Sequence, residues 1–492
     1  MSIPFQNIPQ NLRVPLFYVE VDNRRANSGA FNPRTLIIGQ KLASGQAAPN
    51  HPVICPGVAD AVRAGGEGSM LALMMAAYRQ RDTFGEVWLL PLADDANAVA
   101  AQGALKIGSA PLANGVLFFY IGGVRIAQPV LQHQKPAQIA KALAWTINAM
   151  PHLPVTAIAE EETLTLTARH TGPAGNEIDL RLNDRGAAGG ESLPEGLSVA
   201  IEPMAGGAVA PELKEALANL SDALFDFIVL PYTDPASLDA MKAFLNDVSG
   251  RWAWSQQLYG HAFSAHRGAL GELAALGTAR NDAHTTIVGF NDSPTPAWCW
   301  AANVTGAAAV SLRADPARPL QTLALDVLAP SLASRFTLGE RNTLLFDGIS
   351  TVTVAQDGTV AIENLITTYQ KNALGQPDDS YLEVETLFTL AYVLRRLKAV
   401  ITSKYARVKL AANGTRFAPG SDIVTPNIIR ADLIAQYRQL ESEGVVQNAD
   451  IFKKALIVEQ NAQNPNRLDV LWPGTLVNPL RIFALLAQFR LN

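Results

Sequence analysis

Short apolar strand-like runs alternate with helical stretches in two separated parts of this chain, and that alternation restricts the fold more than any other feature. Leu36–Gly39 (LIIG) precedes a helix at Ser69–Gln80, where Ser69 follows the glycines of AGGEG as an N-cap, and Glu86–Leu90 (EVWLL) comes next. The pattern resumes downstream with a helix at Pro211–Leu220, a strand at Phe225–Leu230 and a helix at Pro235–Val248. A strand near Gln257–His261, a helix near Arg267–Leu276, a strand at Thr285–Phe290 and an apolar helix from Thr295 to Val310 follow. Strands alternating with helices predict a mainly parallel sheet covered on both faces, so the expected class is α/β.

A β-rich stretch interrupts this alternation between about Ala96 and Gly207. Val116–Ile121 and Val124–Val130 flank Gly122-Gly123, a hairpin signature. Thr163–Arg169 alternates strictly, Ile178–Leu182 and Leu197–Glu202 read as further strands, and one helix is expected at Ala137–Met150. After Pro330, the runs Asn342–Phe346, Thr351–Ala355 and Val360–Leu365, separated by two Asp-Gly pairs, predict a meander. A long helix at Glu385–Lys404 follows, then a second helix from Pro426 to Glu443 and a strand at Phe452–Glu459. A chain of 492 residues exceeds a single core, so two to four domains are expected.

Both ends are unusual. Chain termini are commonly polar and loose, yet Arg467–Leu491 is strongly apolar and alternating, with runs at Arg467–Leu471 and Leu480–Phe489 around the turn-rich WPGTLVNP. The two runs read as a hairpin with an open edge able to template pairing with another chain. At the other end, Leu16–Val21 (LFYVEV) reads as an isolated strand on the polar tether DNRRANSG. A lone strand is unstable and must join a sheet of its own chain or of a neighbour.

The totals exclude several classes. The charged fraction of 17% lies below the usual ~25%, as in a protein that hides surface in an assembly or carries a large core. A net charge of −5 without a basic stripe argues against nucleic-acid binding. The sequence holds no run of eighteen apolar residues, so no membrane insertion is expected. MSIPFQNIPQ lacks the basic and apolar regions of a signal peptide. Cys55 and Cys299, far apart and without a CxxC partner, read as buried small hydrophobes.

Chemistry is hard to find. Gly65-Gly66-Glu67-Gly68-Ser69 lacks the lysine of a phosphate-binding loop and reads as a turn into a capped helix. Asp282, His284 and Ser264 or Ser293 would be the material of a triad, but no G-x-S-x-G elbow accompanies them. His261 and His266 have poor spacing for a metal, and no HExxH occurs. Trp252, Trp254, Trp298 and Trp300 fit packing as well as any platform. The pairs Asp94-Asp95, Glu160–Glu162 and Asp378-Asp379 sit in turn-like contexts, and Arg395, Arg396 and Lys398 form a basic cluster on the long helix. No catalytic, cofactor-binding or metal-binding residue is assigned.

The leader SIPFQNIPQNLRVPLFYVEVDNRRAN, the stretches FDFIVLPYTD and YGHAFSAHRG, and the final NPNRLDVLWPGTLVNPLRIFALLAQFRL together resemble the tail sheath proteins of Mu-like contractile phages, and ARHTGPAGNEIDLRL resembles the β domain such sheaths carry. The resemblance spans nearly the whole chain. It implies a non-enzymatic structural subunit of a contractile phage tail, without cofactors, whose central α/β domain is subtilisin-like but non-catalytic. The implied organisation is an N-terminal arm (1–34), a central domain (35–95 and 208–330), an inserted β-rich domain (96–207) and a β meander (331–384). A small α+β C-terminal domain (385–479) and a C-terminal arm (480–492) complete it.

By this likeness the subunit is a homo-oligomer, in six-membered rings stacked helically around a tail tube protein, with baseplate and tail terminator proteins as further partners. Contraction drives the tube through the host envelope. The chain is expected in the virion tail, and in host cytoplasm during assembly. Leu16, Phe17, Tyr18, Val19 and Val21 would form the donated N-arm strand, and Leu480, Ile482, Phe483, Leu485 and Phe489 the donated C-arm strand, while Arg467–Leu471 stays at home. Asn23, Arg24, Asn27 and Gly29 are the candidate hinge, and Arg430 and Arg438 the candidate tube contacts. The alternatives are the sheath of a phage-tail-like bacteriocin or of a type VI-like injection machine, and, further off, an α/β hydrolase.

Overall fold

A computed structural model of the protein describes residues 32–490, so the strand Leu16–Val21 and the hinge residues Asn23, Arg24, Asn27 and Gly29 lie outside the described residues. Five strands run parallel in the order Thr285–Phe290, His261–Arg267, Phe227–Val229, Thr35–Gln40 and Val87–Leu92, and Val53–Ile54 pairs antiparallel at the edge. Every residue of Thr35–Gln40 and of Thr285–Phe290 is buried, because helices cover both faces of a parallel sheet. Helix Met70–Arg79 packs against helix Ala297–Ala314, and the Ser69 hydroxyl accepts the Ala72 N–H at 3.2 Å, capping the first of them. The βα alternation is therefore found as expected. Helix Val58–Gly65 and the edge strand Val53–Ile54 were not foreseen.

The interrupting stretch forms a four-stranded antiparallel sheet (Val199–Ala205, Ala100–Ile107, Thr163–Thr171, Val155–Glu160) and a three-stranded one (Val124–Val130, Gly115–Ile121, Leu180–Leu182), with helix Pro136–Asn148 following Val124–Val130 and preceding Val155–Glu160 in sequence. The hairpin at Gly122-Gly123 is present, and both glycines have positive φ (55° and 84°), as a two-residue turn of this hand requires. This part is joined to the central sheet by a buried polar linkage. The Met70 N–H donates to His170 Nε2 at 3.0 Å, so the imidazole carries its proton on Nδ1, 3.0 Å from Asp94 Oδ1. Gln40 Nε2 donates to the same carboxylate and to Thr171 O, both at 2.8 Å. Asp94, expected to be a solvated turn residue, is thus half of a structural joint. Burial alone would raise its carboxyl, but the hydrogen bonds from His170, Thr171 and Gln40 outweigh burial and hold it below the ordinary carboxylate range.

One buried apolar cluster runs through the central sheet, its helices and both outer sheets, from Leu36 and Phe227 to Leu105 and Leu164. A second, smaller cluster gathers Val393, Leu433, Tyr437, Leu440, Val446 and Phe452. Helix Val384–Tyr405 belongs to both: Val384 lies in the first and Val393 in the second. Phe388 on this helix stacks on Phe227 at 4.9 Å. The guanidinium of Arg395, on the same helix, ion-pairs with the buried carboxylate of Asp226 and donates to Leu258 O at 3.0 Å. Arg395, read from the sequence as part of a cationic patch, is instead an internal pin.

Further expectations are corrected. Asn342–Phe346 is no strand but the end of helix Leu338–Phe346, which opens on a capping box in which the Glu340 N–H donates to Thr337 Oγ1 and the Thr337 N–H to Glu340 Oε2. Only Thr351–Val354 and Val360–Asn364 of the expected meander pair with each other, joined on the far side by Ala324–Leu325. The expected strand Phe452–Glu459 is helix Ala449–Ala455 followed by strand Ile457–Gln460, since Phe452 is needed to stack on Tyr437, with ring centroids 3.8 Å apart. Lastly, Leu468–Leu471 pairs with Ile457–Gln460 and not with Leu480–Phe489.

Candidate assembly interface

After Leu471 the chain is hydrogen-bonded to the body as far as Arg481. Thr475–Leu476 pairs with Val446–Gln447, Thr475 N donates to Tyr437 Oη at 3.0 Å, and Val477 N donates to Val445 O at 3.1 Å. Gln321 Nε2 then donates to Leu480 O at 3.1 Å, and Arg481 ion-pairs with Glu383 at 2.6 Å and Glu385 at 2.7 Å. Beyond Arg481, residues 482–490 are all exposed and form no strand with the rest of the described chain. Ile482, Phe483, Leu485, Leu486 and Phe489 are each at least 76% exposed. Five large apolar side chains in water within eight residues forgo about 1.5–3 kcal/mol apiece of burial free energy. Contiguous exposed apolar surface of this kind is uncommon on monomeric proteins.

A second unfinished surface belongs to the smaller apolar cluster. Ile457–Gln460 and Leu468–Leu471 form a two-stranded antiparallel sheet, with Ile457 opposite Leu471 and Val458 opposite Val470. Val458 and Leu468 pack on the smaller apolar cluster, while Ile457 and Leu471 remain exposed. Two strands make a marginal sheet, and their outer N–H and C=O groups are open to additional strands. The Tyr437–Phe452 stack and Trp472, whose ring lies 5.5 Å from each, form a firm base beneath this ribbon.

The candidate tube contacts separate. Both lie on helix Pro426–Ser442, but Arg430 Nε donates to Leu456 O at 3.2 Å and a second nitrogen to Lys453 O, closing the C-terminal end of helix Ala449–Ala455. Arg438 is exposed. On the long helix, Arg396 faces Glu443 at 3.9 Å.

The side chains considered for chemistry do not converge. Asp282 is buried between Arg280 (2.7 Å) and Lys242 (2.8 Å). His284 Nε2 meets Asp247 Oδ1 at 2.8 Å, and its ring stacks on Trp252 at 4.3 Å. Ser293 Oγ donates to Leu328 O at 2.6 Å and accepts from Trp300 Nε1 at 3.0 Å, and the Trp300 ring stacks on Phe290. His261 Nε2 is 2.8 Å from Thr286 Oγ1 in a fully buried site, and burial, reinforced by nearby His284, holds its pKa well below the ordinary 6.5. Trp298 is buried and Trp254 exposed. A 640 Å³ apolar groove lies between helices Lys214–Ala218 and Pro235–Leu245, lined by Leu213, Leu217, Ala240 and Phe244, with the Asp234 carboxylate at its edge capping the second helix. Among the described residues no group of three or more His, Cys, Asp or Glu is placed to hold a metal, and no helix is long and apolar enough to cross a membrane.

The tail thus presents exposed apolar side chains and the ribbon open strand edges, while the side chains considered for chemistry are spread over separate contacts. Residues 206–368 match the phage tail sheath protein central domain, and residues 376–490 match the phage tail sheath C-terminal domain. Over 491 residues, 99% of this chain and 100% of the relative, it is 40% identical to the Mu-like prophage FluMu tail sheath protein of Haemophilus influenzae. The chain belongs to the phage tail sheath proteins. Among solved structures it is similar to the sheath tail protein of Desulfitobacterium hafniense (13% identity, TM-score 0.48, covering 94% of this chain and 100% of that one). It is also similar to the contracted helical sheath of the anti-feeding prophage (11% identity, TM-score 0.48, covering 98% and 100%).

Proposed function

We propose that this sheath subunit works by strand exchange between copies. The observation that carries the reading is the C-terminal tail: Leu480, Ile482, Phe483, Leu485 and Phe489 are apolar and exposed and belong to no strand of the described chain, while the ribbon Ile457–Gln460/Leu468–Leu471 offers open edges. The tail of one subunit adds a strand to the ribbon of a neighbour, and Leu16–Val21 of another neighbour completes the same small sheet. Main-chain pairing is indifferent to most side-chain detail. The mesh therefore persists while the bodies rotate and slide, with Asn23, Arg24, Asn27 and Gly29 absorbing the change as the hinge.

In this reading the subunits form six-membered rings stacked around a tail tube, bounded by baseplate and tail terminator proteins, in the virion tail after assembly in the host cytoplasm. Contraction drives the tube through the envelope without nucleotide, because the contracted packing buries more area than the extended one. Arg438, exposed on helix Pro426–Ser442, fits a tube contact better than Arg430, which is engaged at home. The subunit divides into arm (1–34), subtilisin-like central domain (35–95 and 208–330), inserted domain (96–207), meander (331–384), C-terminal domain (385–479) and arm (480–492). It is not an enzyme; the dispersal of Asp282, His284, Ser264 and Ser293 over separate contacts supports this.

Negative-stain microscopy of the purified full chain tests the proposal. Hollow cylinders or six-fold rings are expected. Removal of residues 1–24 or 480–492 should leave a folded protein that builds neither, and ordered tubes from a truncated chain would refute strand exchange.

A further inference from the structure

The tail is held to the body as far as Arg481, and residues 482–490 beyond it are exposed and outside any strand of the described chain. At that residue three separate segments meet: the tail itself, the first turn of helix Val384–Tyr405, and the loop at Leu320–Gln321. Arg481 Nη2 lies 2.6 Å from Glu383 Oε2 and 2.7 Å from Glu385 Oε2, and Nη1 donates to Gln321 Oε1 at 3.1 Å. Gln321 returns a hydrogen bond to Leu480 O, and the buried Glu385 also accepts the Leu320 N–H at 2.7 Å. Two carboxylates at a helix N-terminus suit the helix dipole, and the guanidinium supplies their counter-charge. The root of the tail is thereby tied to the junction of the long helix with the central body, and the ribbon on the smaller cluster has no share in that anchor.

Side chains in an extended strand alternate between two faces. Counting from Arg481, the odd positions are Phe483, Leu485, Ala487 and Phe489, an uninterrupted apolar face. The even positions are Ile482, Ala484, Leu486, Gln488 and Arg490, which ends in polar residues. Arg481 is itself odd. A clamp on its side chain sets the side toward which the apolar face turns, because a slip of one residue exchanges the faces and a slip of two restores them.

We propose that Arg481 is a positioning residue for assembly: its clamp on Glu383, Glu385 and Gln321 sets the exit direction and roll of the donated C-terminal strand, so that Phe483, Leu485 and Phe489 arrive facing the neighbour's core. This rests on the strand-exchange reading. Without the clamp the free tether begins just after Val477, the last residue hydrogen-bonded to the smaller cluster's elements, and no longer after Arg481, which dilutes the strand around its target and randomises its roll.

The test is a parity experiment on the full-length chain. One alanine is inserted between Arg481 and Ile482 in one variant and two alanines in another, and tube growth is followed by light scattering and microscopy, with circular dichroism as the check on folding. The single insertion should slow growth on the order of tenfold or more, and the double insertion should recover most of it. Arg481→Ala should slow growth while leaving the fold intact, with partial recovery in Arg481→Lys. In parallel, spin labels at Leu486→Cys and at Ser403→Cys on the long helix should give a distance distribution that broadens in Arg481→Ala. Equal growth of the one- and two-residue insertions, or an unchanged distribution in Arg481→Ala, overturns the proposal. A chain truncated at Arg481 separates the two readings. If it still forms tubes, strand exchange itself fails; if it does not while both insertions grow normally, only the role of Arg481 fails.

Discussion

Arg395 and Asp226 form the pin that holds the long helix against the central sheet. Asp226 stands just before strand Phe227–Val229 and is almost fully buried; its second oxygen accepts the Arg34 N–H at 3.3 Å, where the described chain enters the sheet. One ion pair therefore ties together the start of the sheet and the helix that bridges both apolar clusters.

Removing one partner of such a pair strands the other without compensation. Arg395→Ala is expected to cost about 3–5 kcal/mol of stability in chemical denaturation. Replacing both residues with apolar side chains of similar volume should cost much less than Arg395→Ala alone, a difference that a double-mutant cycle measures.

His170 joins the outer sheets to helix Met70–Arg79 through the Met70 N–H and Asp94. His170→Ala leaves a buried N–H donor and a carboxylate short of a partner, and should destabilise by about 1–3 kcal/mol. Hydrogen exchange at the Met70 amide should accelerate, while amides in strand Thr285–Phe290, far along the sheet, should change only through the loss of global stability.

His261 predicts an acid-sensitive fold. Its folded pKa lies well below 6.5 because burial, with His284 beside it, disfavours the charged ring; Thr286, Phe263 and Phe388 are its other neighbours, and the charge nearest to His284 is Asp247. The unfolded ring takes up a proton as pH falls below its ordinary pKa and the folded ring does not. The stability His261 supports is thus complete above about pH 6.5 and declines as pH falls from there toward the depressed folded value. Denaturation midpoints measured from pH 8 to pH 5 should fall, and His261→Gln should flatten that slope.

Two glycines of helix Leu270–Thr278 should respond oppositely to alanine. A Cβ at Gly277 would stand 2.0 Å from Asp347 O, so Gly277→Ala forces helix Leu338–Phe346 away and should cost about 1–3 kcal/mol. A Cβ at Gly271 meets nothing within 4 Å, and Gly271→Ala should stabilise by about 0.5–1 kcal/mol through helix propensity alone. Thermal melts of the two variants check both signs.

The parallel sheet was legible because strands buried on both faces must be continuous apolar runs, and LIIG, FDFIVL and TTIVGF are such runs. The Gly122-Gly123 hairpin was legible because two consecutive positive-φ residues leave few other choices. Asn342–Phe346 was misread because a short apolar run fits either period; the Thr337–Glu340 capping box just upstream was the signal that identified the helix. Phe452 was misread for a related reason: its aromatic β preference yielded to a stacking partner, Tyr437, supplied by another helix.

Local pattern thus determined by itself which stretches could be strands or helices, and it marked the tail as a strongly apolar, alternating segment. It could not assign partners. Only the tertiary structure decided that Leu468–Leu471 pairs with Ile457–Gln460, that Arg395 is spent on Asp226 and that Arg481 is held by Glu383 and Glu385. Those choices join residues up to 169 positions apart, and the free energy of a buried charge or an added strand depends on what the folded chain brings beside it.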